Sequence, residues 1–120
     1  MTNVPTVVVN NTSKNRRDLV TESCLWFLNL YELLSIIKIS ISFKQLEDCW
    51  GYCHQVDDHV YVIAIQSRLR SPEMLSTLFH ELIHVRQWET SSWAGDGEPE
   101  AERAGLLLAR IFLKTKSEKV

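Results

Sequence analysis

The sequence predicts a single α+β domain, and three observations carry that expectation. The chain has 120 residues, 45% of them hydrophobic, enough to bury one core and too few for two domains of ordinary size. Its apolar pattern changes period along the chain, from helical spacing before residue 35 to strict alternation just after it. Two later segments carry helix-start signals, one of them in triplicate. The expected order is a helix, a small and mainly antiparallel sheet, a second helix and a C-terminal helix over residues 1–120. Residues 114–120 are read as a polar tail.

Residues 1–16 contain Pro5, an Asn-Asn pair and the run Val7-Val8-Val9, and read either as a short edge strand or as an ordered arm. From Asp18, a candidate N-cap, the residues Leu19, Leu25, Trp26, Leu28, Tyr31, Leu33 and Leu34 sustain an apolar face, which predicts a helix over about 18–35. Ile37, Ile39, Ile41 and Phe43 then alternate with Lys38, Ser40, Ser42 and Lys44, the signature of a half-buried strand. A second strand is expected around Trp50–Val56 and a third over Val60–Gln66. Asp57-Asp58 provide the turn of a hairpin between them. Ser71-Pro72-Glu73 combine an N-cap, a proline at the first helical position and an early acid. A helix opens there.

That helix carries His80-Glu81-Leu82-Ile83-His84. Two imidazoles four residues apart lie roughly 40° apart around a helix, so they project to one side and can share a metal ion. Leu75, Leu78, Leu82 and Val85 form the apolar stripe, and Glu73, Thr77, His80, His84 and Gln87 form the other face. Glu81 borders the ligand face, where a carboxylate can take a proton from water activated by the metal. Zinc in a catalytic site takes three protein ligands and keeps one position for water. No histidine follows His84, and Gln87 and Thr90 occupy the glycine and histidine positions of the longer HExxHxxGxxH pattern. The third ligand is therefore an acid, unless His54 or His59 reaches the site from the strand side. The candidates are the cluster Asp96 to Glu102, which follows a Gly-containing loop and opens a helix with Pro99 in its first turn. Ala101, Ala104, Gly105, Leu108, Ile111 and Phe112 supply that helix with a face of partly small residues, which permits close approach to the motif helix.

HELIH, a reversal loop and then Glu98-Pro99-Glu100-Ala101-Glu102 resemble the gluzincin class of zinc metallopeptidases, in particular its minimal single-domain members. The resemblance rests on Val60 to Phe112. It implies a zincin-like fold, Zn2+ as cofactor, Glu81 as general base and His80 and His84 as ligands. It also implies a third ligand at Glu98, with Glu100 as the alternative, and an outer acid at Glu102. The residue before a proline is biased away from helix, which weighs against Glu98. Glu98 and Glu100 lie roughly 200° apart around a helix, so only one of them can face the ion. The implied activity is endopeptidase cleavage of a peptide or protein. Val60, Ile63 and Ile65 are expected on an edge strand beside the cleft, and Trp88 and Trp93 as walls of a pocket. The resemblance departs from the class in one respect: no Tyr follows Tyr61 and no His follows His84, so no donor for the reacting oxygen is visible. The alternatives are a zincin-fold binding or regulatory module of weak or no activity, and a structural zinc site closed by His54 or His59.

Composition excludes other classes. A net charge of −2 gives no cationic surplus for nucleic acid, and no apolar run reaches the length of a membrane span. Cys24, Cys49 and Cys53 are odd in number, and a Cys49/Cys53 spacing of four fits neither redox nor zinc-knuckle motifs. Cys53 and His54, neighbours on a strand, should point to opposite faces. The expectation is a reduced, cytoplasmic, monomeric protein, a setting that also suits a phage-encoded protease.

Overall fold

The computed structural model describes residues 5–33, 36–93 and 95–118. Its elements are β1 (Thr6–Asn10), α1 (Lys14–Leu30), β2 (Lys38–Lys44), β3 (Gly51–Asp57), β4 (Val60–Gln66), α2 (Ser71–Thr90) and α3 (Glu98–Glu118). The fold class is α+β, with three helices on a four-stranded sheet of order β1-β2-β4-β3.

The sheet is mixed, which corrects the expectation of a mainly antiparallel one. β1 pairs with β2 in parallel and β2 with β4 in parallel; only the β3–β4 hairpin is antiparallel. Two features of the chain produce this. The Val7-Val8-Val9 run is a true edge strand, and α1 is the crossover that returns the chain to pair beside it, as parallel neighbours require. β4 then inserts between β2 and β3, so these two strands, consecutive in sequence, are not neighbours in the sheet. The expected hairpin turns at Asp58-His59, one residue later than Asp57-Asp58, with Asp57 accepting from the Asp58 N–H and His59 taking the left-handed conformation at φ 61°.

α1 starts and stops earlier than its apolar pattern suggests. Ser13 is the N-cap, its hydroxyl accepting from the Arg16 N–H at 3.3 Å, and Asp18 instead pairs with Lys14 one turn back. The helix closes with Glu32 left-handed at φ 58°, the Leu33 N–H on the Leu28 carbonyl and the Glu32 N–H on that of Asn29. This is a Schellman closure without its usual glycine. The expected continuation through residues 34 and 35 lies outside the described residues, as do positions 1–4 of the arm and 119–120 of the tail. Val20, Cys24, Phe27 and Leu28 form the buried stripe, while Leu25 is exposed.

α2 begins as forecast, except that Arg70 rather than Ser71 takes the extended cap position and Ser71-Pro72 open the first turn. It lies between two partners: β3 and β4 on one side, α3 on the other. That position explains why Thr77, Glu81 and Gln87 are buried although they are polar. α3 contacts α2 through Ala101, Gly105, Leu108, Ala109 and Phe112. A Cβ on Gly105 would stand 2.9 Å from both the His80 nitrogen and the Ser76 oxygen, so the expected close approach is real and the missing side chain makes it. Phe112 completes an aromatic cluster with Phe79 and Trp26, at centroid distances of 5.4 to 5.9 Å. Ile111, expected on the same face, is exposed.

α1 and α2 pack on the sheet and α3 packs on α2; on the sheet's other face Val8 and Val56 are exposed and Val60 and Val62 half-buried. Among the described residues no helix is long and apolar enough to cross a membrane. The three cysteines are free thiols.

Candidate metal centre

His80 and His84 face the same side of α2, their ring centroids 5.2 Å apart. The ligand atoms of His80, Glu81 and His84 all lie within 4.8 Å of one another, and this group can hold a metal ion. From the start of α3, Glu98 meets both rings. One carboxylate oxygen is 3.0 Å from His80 Nε2 and the other 2.9 Å from His84 Nε2. The Glu98 N–H is held by Asp96 Oδ1 at 3.0 Å, an Asx-type cap that places Glu98 at the first position of the helix. Its position before Pro99 is thus compatible with the site, because a residue entering a helix need not be fully helical.

Glu100 turns the other way. It accepts from the Gln87 side-chain N–H at 2.7 Å and lies 4.0 Å from Arg86 Nη1. The opposition of Glu98 and Glu100 expected from helical geometry is therefore present, with Glu98 at the histidines. Among the described residues Glu102 makes no hydrogen bond to either imidazole; it lines the cleft with Leu106 one turn further along α3.

Glu81 is 6% exposed, and burial pushes its carboxyl up to about 7; His84 opposes the rise and Glu98 adds to it. Cys53, on the neighbouring strand, is pushed above the ordinary thiol range by burial and by the Glu81 charge. Gly51 brings the strand so close that a Cβ there would stand 2.8 Å from Thr77 Cγ2 and 3.4 Å from Glu81 Oε2.

The cleft over these residues has two lobes. One, of about 290 Å³, runs from His80 and Glu81 to Trp50, Glu102 and Leu106. The other, of about 350 Å³, runs from His84 and Glu98 to Trp88, Asp96 and Tyr52. The strand bordering both is β3, and this corrects the placement of the cleft strand. β4 is central in the sheet, hydrogen-bonded on both edges, so Ile63 and Ile65 are buried beneath α2 and Val60 lies at a groove on the opposite face. Trp88 does wall a lobe, stacked on Tyr61 at 5.8 Å, and exposed Trp93 lines a smaller hollow beside it.

The remaining histidines are elsewhere. His54 is exposed on strand β3, one residue from the inward-facing Cys53, and His59 pairs through Nδ1 with Glu89 at 2.8 Å. Neither closes the coordination of His80 and His84. Sequence reasoning gave no role at the site to Trp50, to Leu106 or to the buried Gln87, which it placed on the histidine face and whose side chain meets His84 Nδ1 at 2.9 Å. Gln87 was legible in principle, since a residue three after His84 lies on the same helical face.

Comparison with protein-family models, with curated proteins and with solved structures gives no match.

Proposed function

We propose that this protein is a zinc-dependent endopeptidase of the gluzincin type, with a zincin-like fold. The observation that carries the reading is the meeting of His80 Nε2, His84 Nε2 and the Glu98 carboxylate beside the buried carboxyl of Glu81. Two imidazole nitrogens and one carboxylate oxygen are a fitting donor set for zinc, and three protein donors leave room for water or substrate. His80, His84 and Glu98 would hold the ion. When bound, it supplies Lewis acidity, polarising a peptide carbonyl and making water more acidic.

The chain's own residues do the rest. Glu81 takes the proton from the attacking water and later delivers it to the departing amine; a carboxyl raised to about 7 is suited to both transfers near neutral pH. The free outer edge of β3 offers main-chain groups to an extended peptide, which would lie across the two lobes. Trp50 and Leu106 border one lobe and Trp88 the other.

One observation favours a second reading, a zincin-fold module with little or no activity: no Tyr or His follows His84 to stabilise the reacting oxygen. The deciding experiment measures bound zinc and peptide hydrolysis in the wild type and in Glu81→Gln. The peptidase reading expects one zinc per chain in both and hydrolysis only in the wild type. Zinc bound equally by both with no hydrolysis by the wild type over a broad peptide library would establish the second reading.

A further inference from the structure

We infer that Gln87 is a positioning residue that fixes the tautomer of His84 and ties that ring to the turn carrying Glu98, through a relay running Glu100–Gln87–His84. The inference rests on the metal-centre reading above and assigns a role to residues outside the ligand set.

The side-chain amide of Gln87 is almost fully buried, at 3% exposure, and each polar atom has a partner. Its Nε2 donates to the Gly97 carbonyl at 3.0 Å and to Glu100 at 2.7 Å; its Oε1 faces His84 Nδ1 at 2.9 Å. An amide can in principle be turned end for end, and the surrounding network decides its orientation. Here the decision is forced, because a carbonyl and a carboxylate only accept. Turning the amide would set its oxygen against two other oxygens while its own buried amide nitrogen lost both acceptors, a cost that the remaining contacts do not offset. So Oε1 must face His84, and an oxygen facing Nδ1 requires the proton there. A neutral imidazole protonated at Nδ1 carries its lone pair on Nε2, which then needs a cation or a proton between it and the Glu98 oxygen at 2.9 Å. Nε2 is the atom that converges with His80 and Glu98.

The same amide grips the loop. Gly97 immediately precedes Glu98 and takes φ 80°, and a side chain there would overlap the Gln87 amide. The backbone of the turn therefore lies directly on Gln87, and the Gly97 carbonyl receives both Gln87 and the first helical N–H, from Ala101 at 3.1 Å. One side chain thus sets the ring of one ligand and the backbone position of another. His80 has no such partner among the described residues: its side-chain hydrogen bond is through Nε2, to Glu98. Glu100 is accordingly not a spare ligand. It is the acceptor that orients the amide.

The test uses the full chain in three variants: Gln87→Leu, Gln87→Glu, and Gln87→Glu combined with Glu100→Gln. Zinc affinity is measured by competition with a chromophoric chelator, and the His84 tautomer by nitrogen-15 NMR of the metal-free protein at pH 8. Wild-type His84 should carry a proton on Nδ1 whether or not Nε2 also shares one with Glu98, and Gln87→Leu, which leaves Glu98 as the acceptor, should shift the proton toward Nε2. The same variant should bind zinc about 10–100-fold more weakly, the range typical for loss of an outer partner of a metal ligand. Gln87→Glu alone sets a carboxylate against Glu100 and the Gly97 carbonyl and should also weaken zinc. The double variant restores an acceptor for His84 and a donor at position 100, and should recover most of the loss, to within roughly tenfold of wild type. Wild-type zinc affinity in Gln87→Leu, or a wild-type His84 with no proton on Nδ1, would overturn the relay. Should Gln87→Leu fail to fold, the wild-type tautomer and the double variant still decide. Should the wild type bind no zinc, the metal reading fails, and the tautomer measurement judges the relay on its own.

Discussion

α2 holds two pairings of histidine with glutamate, and they are built in opposite ways. Near the C-terminal end of the helix, Glu89 is sealed: its carboxylate is 9% exposed, receives the Tyr61 hydroxyl and faces His59 Nδ1 at 2.8 and 3.0 Å. Two turns earlier, His80 and His84 meet a carboxylate that comes from a different helix and is 55% exposed, at the junction of a cleft. Each oxygen of Glu98 faces a different ring, and the two Nε2 atoms converge on it. The residue types are the same. What distinguishes a fastening from a candidate metal centre is whether the lone pairs are used up inside the cluster or gathered toward one accessible point.

Removing a residue from each cluster gives the largest contrast. His84→Ala should lose stoichiometric zinc, since two donors remain of three, whereas His59→Ala should bind zinc as the wild type does. The His59 variant should instead lose about 1–3 kcal/mol of stability, because it takes a partner from a nearly buried carboxylate. Zinc titration and urea denaturation of both variants check the crossing. Zinc loss in His59→Ala would erase the distinction between the clusters.

The contact that brings Glu98 to the histidines can be broken separately. Gly105→Ala puts a methyl group against the backbone of Ser76 and His80, and α3 must move away from α2. The expected cost is about 1–3 kcal/mol of stability. Zinc affinity should fall on the order of tenfold, because Glu98 rides on the displaced helix. The sealed cluster, built without α3, should keep its hydrogen bonds, which the Tyr61 hydroxyl signal in NMR would report.

These contrasts also show how much the sequence could disclose. β2 and the opening of α2 were legible because alternation, Pro72 and Glu73 are local signals that tertiary packing left in place. The His80-Glu81-His84 face was legible because helical spacing is a matter of geometry alone. The parallel pairing of β1 was not, because pairing partners are chosen by the crossover through α1 and leave no mark in the Val7-Val8-Val9 run. The start of α1 was misplaced because Ser13 and Asp18 both have capping chemistry, and its end because Glu32 adopts a conformation usually signalled by glycine. Placing Val60, Ile63 and Ile65 on the edge followed from the same limit: strand order decides which strand borders a cleft, and period-two patterning does not contain it. The choice of Glu98 over Glu100 depended on the turn at Asp96-Gly97, which sets the rotation of α3 at its start.

A smaller effect comes from proton linkage at Glu81, whose carboxyl rises from an ordinary 4.5 to about 7 in the fold. The folded protein thus favours the protonated form, and the metal-free protein should lose stability as pH rises from about 4.5 through 7. Glu81→Gln removes that loss. At pH 8 the metal-free variant should be more stable than wild type by on the order of 1–3 kcal/mol, and at pH 4 the two should be equal. Denaturant titrations at both pH values measure this, and a variant less stable than wild type at pH 8 would contradict it.

The most direct measurement for the central claim is the position of zinc in a crystal of the metal-loaded protein, located by anomalous scattering at the zinc edge. The account predicts one peak at roughly 2.0–2.2 Å from His80 Nε2, His84 Nε2 and a Glu98 oxygen, with no fourth protein donor. A peak coordinated by Glu100 or by Glu81, or no peak at the two histidines, would contradict it.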